Sequence, residues 1–200
     1  VIYSELVDRA LRLSARAHRD QNRKASDLPY LMHPAAVTLI LAQAGFEEED
    51  NILAAALLHD VVEDTTVTLE ELESKHIFPA EVIELVAELS EQKQDEKGNK
   101  IPWKPRKEHH LEVIRQSSDG ACAIVLADKL HNLKSTLFDL EHEGPQVWDR
   151  FYSSEEEFLW YHHEMLSAAD RDEKRIQRLI QENRHLLNEL ALASDGPEDK

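Results

Sequence analysis

Four residues able to bind a metal interrupt otherwise apolar helical runs: His33, the doublet His59-Asp60, and Asp128. The doublet ends the run Ala54 to Leu58 and is followed at once by Val61, Val62, Glu63 and Asp64. A charge in a low-dielectric setting needs a counter-charge, a metal or a hydrogen-bond network, so intrusions of this kind call for a use. Neutral imidazole with ionised carboxylate suits a borderline-to-hard divalent ion such as Mn²⁺, Fe²⁺, Co²⁺ or Zn²⁺. Two His and two Asp leave room for water on a six-coordinate ion, and bound water made more acidic is what a hydrolase uses. A structural salt-bridge network is the competing reading of the same four side chains.

If residues 59–64 stay helical, Glu63 lies one turn beyond His59 and Asp64 one turn beyond Asp60, so both carboxylates border the ion. One can orient or deprotonate the attacking water and the other protonate a leaving oxygen, a role worth about 10² to 10⁴ in rate. Taken singly, either reads as a helix-end carboxylate near Thr65 and Thr66. Asn132 follows Asp128 by one helical turn and can face the same pocket. Arg23-Lys24, in a polar stretch before His33, offers two cations for phosphate oxygens, or simply a solvated surface. The segment Trp103-Lys104-Pro105-Arg106-Lys107 adds an aromatic and three cations that either close over a phosphorylated substrate or balance nearby acids. His109, His110, His162 and His163 have no partner pattern and read as structural or exposed.

Leu, Ala, Glu and Lys/Arg dominate the 200 residues, with five Gly and seven Pro, so the elements that position these groups are helices. Apolar spacing places a helix over residues 2–18, and Pro34 opens a second that runs to Gly45 and carries His33 at its entrance. A third starts near Asp50 and delivers His59-Asp60. Thr68 with Glu71 forms a capping box for a short fourth helix, and Pro79 starts a fifth that ends near Gln92. A polar loop over 93–105 leads to a helix over 106–115, then to a turn at Asp119-Gly120. A strongly apolar helix over 121–140 presents Asp128 and Asn132 and closes at Gly144-Pro145. Ser154 with Glu157 caps a final pattern reaching Leu192, too long for a domain of this size if straight. Its stripe of Ile176, Leu179, Ile180, Leu187 and Leu190 therefore folds back after a break over 168–172, or packs on another subunit. Residues 194–200 read as a frayed acidic end.

A formal charge of -17 argues against a general nucleic-acid binder, since such proteins usually carry a basic face that displaces counterions. It leaves room for a small anionic substrate, since exposed charges are screened beyond about 8 Å at physiological salt. No apolar run is long enough to cross a bilayer, so a soluble cytoplasmic protein is expected. Cys122, the single cysteine, reads as a core residue and permits no internal disulfide.

His33-Pro34, the segment from His59 to Thr65, and the segment from Ala127 to Leu133 together resemble the HD-domain phosphohydrolases, specifically the hydrolase module of RelA/SpoT homologues. The resemblance spans about residues 1–170 and takes in Arg23-Lys24 and the stretch Pro29 to Pro34. It implies an all-α HD-domain helical bundle with a long C-terminal helix, residues 171–200 forming a C-terminal extension and acidic tail. It implies Mn²⁺ held by His33, His59, Asp60 and Asp128, water activation by Glu63 and Asp64, and removal of the 3′-pyrophosphate from guanosine tetra- or pentaphosphate. By position, Arg23, Lys24 and Asn132, with Lys129, would contact the nucleotide or its phosphates. The implied protein is a small, stand-alone alarmone hydrolase, monomeric or dimeric through its C-terminal helix. An HD nucleotidase acting on another phosphorylated nucleotide such as NADPH is one alternative, and a catalytically silent nucleotide-binding module is another.

Overall fold

Residues 121–127 contain no polar side chain except the thiol of Cys122, and all seven are buried. They form the first turns of the helix around which the other elements pack, in a computed structural model that describes residues 3–24, 26–95, 97–151 and 153–194. In chain order the helices are α1 (Glu5–Ala17), α2 (Met32–Leu41), α3 (Asp50–Leu58), α4 (Val61–Asp64), α5 (Leu69–Ser74), α6 (Ala80–Leu89), α7 (Trp103–Gln116), α8 (Asp119–Glu143), α9 (Glu155–Ala168) and α10 (Lys174–Ser194). Among the described residues there is no strand, only isolated bridges that pinch the loops at Asn22–Pro29 and Gln94–Lys100. The all-α class is thus the one the composition favoured. Helices α2, α3, α6 and α10 lie against α8, while α1 covers α3. Each fully buried Leu or Ile of this core, such as Leu58, Ile124 and Leu133, contributes about 1.5–3 kcal/mol of burial.

Local signals placed most helix ends. Both expected capping boxes are present, Thr68 with Glu71 and Ser154 with Glu157. The second helix turns π-helical over Ala42–Phe46 and ends where Gly45 adopts φ 108°, which the absence of a Cβ makes accessible. Three expected boundaries move. Helix α6, expected to run to near Gln92, stops at Leu89. The seventh begins at Trp103, because Pro102 and Pro105 fall at the N-cap and in the first turn, where a missing N–H leaves no bond unmade. Asp119-Gly120 is no turn: Ser118 Oγ accepts from Ala121 N, and α8 starts at Asp119. Gly120 serves a close approach instead, since a Cβ there would lie 3.0 Å from Leu85 and 3.4 Å from Ile52.

The long terminal pattern breaks between Ala168 and Lys174 and folds back. Ile176, Leu179, Ile180, Leu187 and Leu190 are buried in α10, which lies along α8. Asn183, fully buried within that stripe, donates through Nδ2 to the backbone oxygens of Leu126 and Leu179. Arg171 holds the break in place by donating to carbonyls at the end of α7, those of Ile114, Arg115 and Ser117. No helix of the described residues is long and apolar enough to cross a membrane. The expected start of α1 at Ile2 and the acidic end over 195–200 lie outside the described residues.

Candidate metal and phosphate site

Three packed elements and one loop meet at the site. Helix α2 supplies His33, the α3–α4 junction supplies His59, Asp60, Glu63 and Asp64, and α8 supplies Asp128, Lys129, His131 and Asn132. The loop between α1 and α2 adds Arg23, Lys24 and Tyr30. His59 and Asp60 separate α3 from α4, yet both keep right-handed helical dihedrals, and Asp64 N donates to Asp60 O at 2.9 Å. The one-turn relation of Asp60 to Asp64 is thereby preserved.

His33, His59 and Asp60 offer ligand atoms within 4.8 Å of one another. His33 Nε2 lies 3.0 Å from Asp128 Oδ1 and 3.6 Å from Asp60 Oδ2, while His59 Nε2 lies 3.2 Å from Asp60 Oδ2. His59 Nδ1–H donates to Ala56 O at 2.7 Å, which leaves the Nε2 lone pair turned toward the carboxylates, buried and without a hydrogen-bond partner. That tautomer is the one a metal-binding imidazole adopts when its other nitrogen is tied to a backbone carbonyl. On the far side of His33, Nδ1 lies 2.8 Å from His131 Nδ1, a second such tether. The cluster attracts positive charge. Burial opposes a charged His59, yet the carboxylates of Asp60 and Asp128 push it up to about 9. Burial likewise opposes charge on Asp128, but Lys129, 2.6 Å away, and His33 hold it well below the ordinary carboxylate range. The donor set and the orphaned His59 nitrogen fit a divalent cation.

The carboxylates of Glu63 and Asp64 are held from several sides. Lys93 Nζ sits 3.1 Å from Glu63 Oε1 and 2.5 Å from Asp64 Oδ1, and Glu91 N donates to Glu63 Oε2 at 3.3 Å. Tyr30 Oη donates to Asp60 Oδ2 at 2.7 Å and lies 3.2 Å from Asp64 Oδ2. Burial, followed by the nearby charge of Glu91, pushes Glu63 upward. Burial opposes ionisation of Glu91 as well, but His110 and Lys107 hold it well below the usual range, and Arg106 pairs with it at 2.7 Å.

All ten residues named from the sequence line one cavity of about 1190 Å³. Nine Lys and Arg line it against six Asp and Glu, whereas the chain as a whole has 23 against 40. Arg23 donates to Asn132 Oδ1 at 3.3 Å, and Asn132 donates to Asp128 Oδ1 at 2.7 Å, linking a phosphate-type cation to the metal-type cluster. Burial and the adjacent Arg23 lower the pKa of Lys24, whose ammonium lies 5.8 Å from the Phe151 ring. Lys129 reaches the wall, but its charge is engaged by Asp128. Arg106 and Lys107 likewise face Glu91, so this part of the cationic segment balances a buried acid.

Tyr30, Glu91, Lys93, His110, His131 and Tyr161 also form the wall, with roles that spacing alone did not expose. His110 and His162, read as structural or exposed, are buried on it, and His110 Nδ1 lies 2.8 Å from Tyr161 Oη. The one local signal was His110 falling within a turn of Arg106 and Lys107; Glu91 and Lys93 reach Glu63 from a loop about thirty residues away, where no period applies.

A family model described as HD domain matches residues 10–153. Human guanosine-3′,5′-bis(diphosphate) 3′-pyrophosphohydrolase MESH1 is 39% identical over 148 residues, 74% of this chain and 75% of that protein. The Drosophila melanogaster protein of the same name is 36% identical over 151 residues, 75% of this chain and 77% of its own. A solved structure, described as a metazoan ortholog of SpoT that hydrolyzes ppGpp and plays a role in starvation responses, superposes with TM-score 0.74 at 28% identity. It covers 92% of this chain and 97% of the other. Since the matched segment contains both imidazoles, the four carboxylates around them and the helix that carries Asp128, the chain belongs to the HD-domain family.

Proposed function

We propose that this protein is a metal-dependent hydrolase that removes the 3′-pyrophosphate from guanosine 3′,5′-bis(diphosphate) or the corresponding pentaphosphate, leaving GDP or GTP. The observation that carries this reading is the Glu63-Asp64 pair beside His33, His59, Asp60 and Asp128 in a cation-rich cavity of an acidic protein. The reaction for which the MESH1 relatives are named supports it. His33, His59, Asp60 and Asp128 would hold one divalent ion, Mn²⁺ in this reading, with Fe²⁺, Co²⁺ and Zn²⁺ compatible with the same donors. When bound, the ion supplies Lewis acidity, making water more acidic and drawing charge from a phosphoryl oxygen.

The chain's own groups do the rest. Glu63, raised by burial and by Glu91, is suited to take and hold a proton from water. Asp64, steadied by Lys93, orients that water or returns a proton to the leaving oxygen. Arg23 and Lys24 pair with phosphate oxygens, and Asn132 holds Arg23 in register with Asp128. Lys129 reaches the nucleotide only as its engagement by Asp128 allows, and keeps that carboxylate ionised. Residues 1–170 make up the hydrolase unit, and 171–200 an extension whose helix braces α8. With its apolar stripe taken up inside the chain, a monomer in the cytoplasm fits better than a dimer through α10.

Mn²⁺-loaded protein incubated with ppGpp should release pyrophosphate and leave GDP. Dephosphorylation of another nucleotide such as NADPH without GDP formation would shift the assignment to a general HD nucleotidase. Binding of ppGpp with no turnover would leave a non-catalytic module.

A further inference from the structure

We infer that Tyr30 is a positioning residue of this reaction: its hydroxyl ties the ion-site carboxylate of Asp60 to the carboxylate of Asp64. This rests on the function proposed above and gives a role to a residue that reading does not use. Tyr30 Oη donates to Asp60 Oδ2, the same oxygen that lies 3.2 Å from His59 Nε2 and 3.6 Å from His33 Nε2. The contact to Asp64 Oδ2, at 3.2 Å, is the longer of the two. The single phenolic proton is therefore shared in a three-centre bond, chiefly with Asp60 Oδ2 and more weakly with Asp64 Oδ2, so it sets the direction of the Asp60 carboxylate and holds Asp64 beside it.

The ring cannot drift. It stacks on His18 with centroids 4.7 Å apart and an interplanar angle of 27°, meets His33 edge-on at 6.1 Å, and lies beneath the Arg23 guanidinium at 5.9 Å. His18 Nδ1 is 2.6 Å from Gln21 Oε1, and Gln21 Nε2 donates to the Asp64 backbone oxygen at 2.8 Å. Tyr30 N in turn donates to Gln21 O at 2.9 Å. The α1–α2 loop thus grips Asp64 by main chain and side chain together. On the opposite side Lys93 Nζ pulls on Asp64 Oδ1. Without the Tyr30 hydroxyl, Asp64 is free to follow Lys93 toward the 91–102 loop and away from the cluster. Partners at this remove from an ion are worth about 10- to 100-fold in affinity or rate, so the magnitude is measurable.

The test is Tyr30→Phe, which keeps the stacked ring and removes only the hydroxyl. Turnover of ppGpp should fall about 10- to 100-fold in kcat with little change in KM, and Mn²⁺ affinity measured by calorimetry without substrate should fall in the same direction. In an Asp64→Asn background the same change should cost no more than about threefold in kcat, because the coupled partner is already altered. 4-Aminophenylalanine at position 30 keeps ring and donor, so it should fold and restore both readouts, even where Tyr30→Phe does not fold. Unchanged kcat and Mn²⁺ affinity in Tyr30→Phe, equal losses in both backgrounds, or failure of the amino analogue to restore them would overturn the inference. A wild-type protein that binds Mn²⁺ but forms no GDP would overturn the function proposed above, while the two Mn²⁺ affinities still decide the role of Tyr30. A wild-type protein that binds no Mn²⁺ overturns both.

Discussion

His59 shows how one backbone contact settles the chemistry of a side chain. With Nδ1–H bound to Ala56 O, Nε2 is the ring nitrogen left to face the carboxylate cluster, 3.2 Å from Asp60 Oδ2, where an ion can take the place of its proton. Removing a donor should therefore act on the ion, and removing a base should act on the rate. Asp128→Ala should lose the metal, as read by elemental analysis after dialysis; retained metal with full activity would contradict the assignment. Glu63→Gln should keep the metal and lose about two to four orders of magnitude in kcat. The raised pKa of Glu63 also carries a sign. If ionised Glu63 is the base, the rate falls as pH drops through its folded value, so the acid limb of a kcat profile should sit above the ordinary Glu range. A limb at or below that range would argue for another base. At this scale the four metal-type residues and the carboxylate pair were visible from sequence, because each interrupts an apolar run. Glu91 and Lys93 were not, because their partnership with Glu63 exists only across space.

At the scale of elements, the fold-back of α10 has the clearest energetic consequence. Leu187 is 1% exposed and packs in the stripe that α10 buries. Leu187→Ala should destabilise the protein by about 2–5 kcal/mol, read as a lowered urea midpoint with an unchanged slope. Mn²⁺ affinity of the folded variant should remain near wild type, since α10 supplies none of the ten candidate site residues. Helix starts were legible where a side chain signs them, as at Thr68 and Ser154. Asp119-Gly120 misled because a glycine after an aspartate is a turn signal in isolation. Here the glycine is needed for the closeness of Leu85 and Ile52, a fact that belongs to packing.

For the molecule as a whole, the cluster joins α2, the α3–α4 junction and α8, so ion binding should stabilise the entire fold. At an ion concentration about 100 times Kd, binding to the native state alone contributes about 2.7 kcal/mol. Chelation should then lower Tm by about 5 to 10 °C in a domain of this size, and leave Tm of Asp128→Ala unmoved. A second whole-molecule effect comes from His162, 4% exposed, which burial and then Lys129 push down to about 3. An unfolded chain binds this proton near pH 6.5 and the native chain does not, so stability is fully present above that value and lost as pH falls toward 3. The slope is at most about 1.4 kcal/mol per pH unit from this group, and His162→Phe should flatten the acid side of a Tm-against-pH curve.

Helical class, the capped ends, and the metal-type and carboxylate residues could all be read along the chain, since propensity, capping and 3.6-residue periodicity act between near neighbours. Three features depended on the assembled fold. The break at 168–174 turned a long amphipathic pattern into a brace for α8, the 91–107 segment closed on Glu63 and Asp64, and a chain of charge -17 gathered nine cations around one cavity. Each is an encounter between groups far apart in sequence, and its outcome is set by desolvation and packing where they meet, quantities that no local spacing contains.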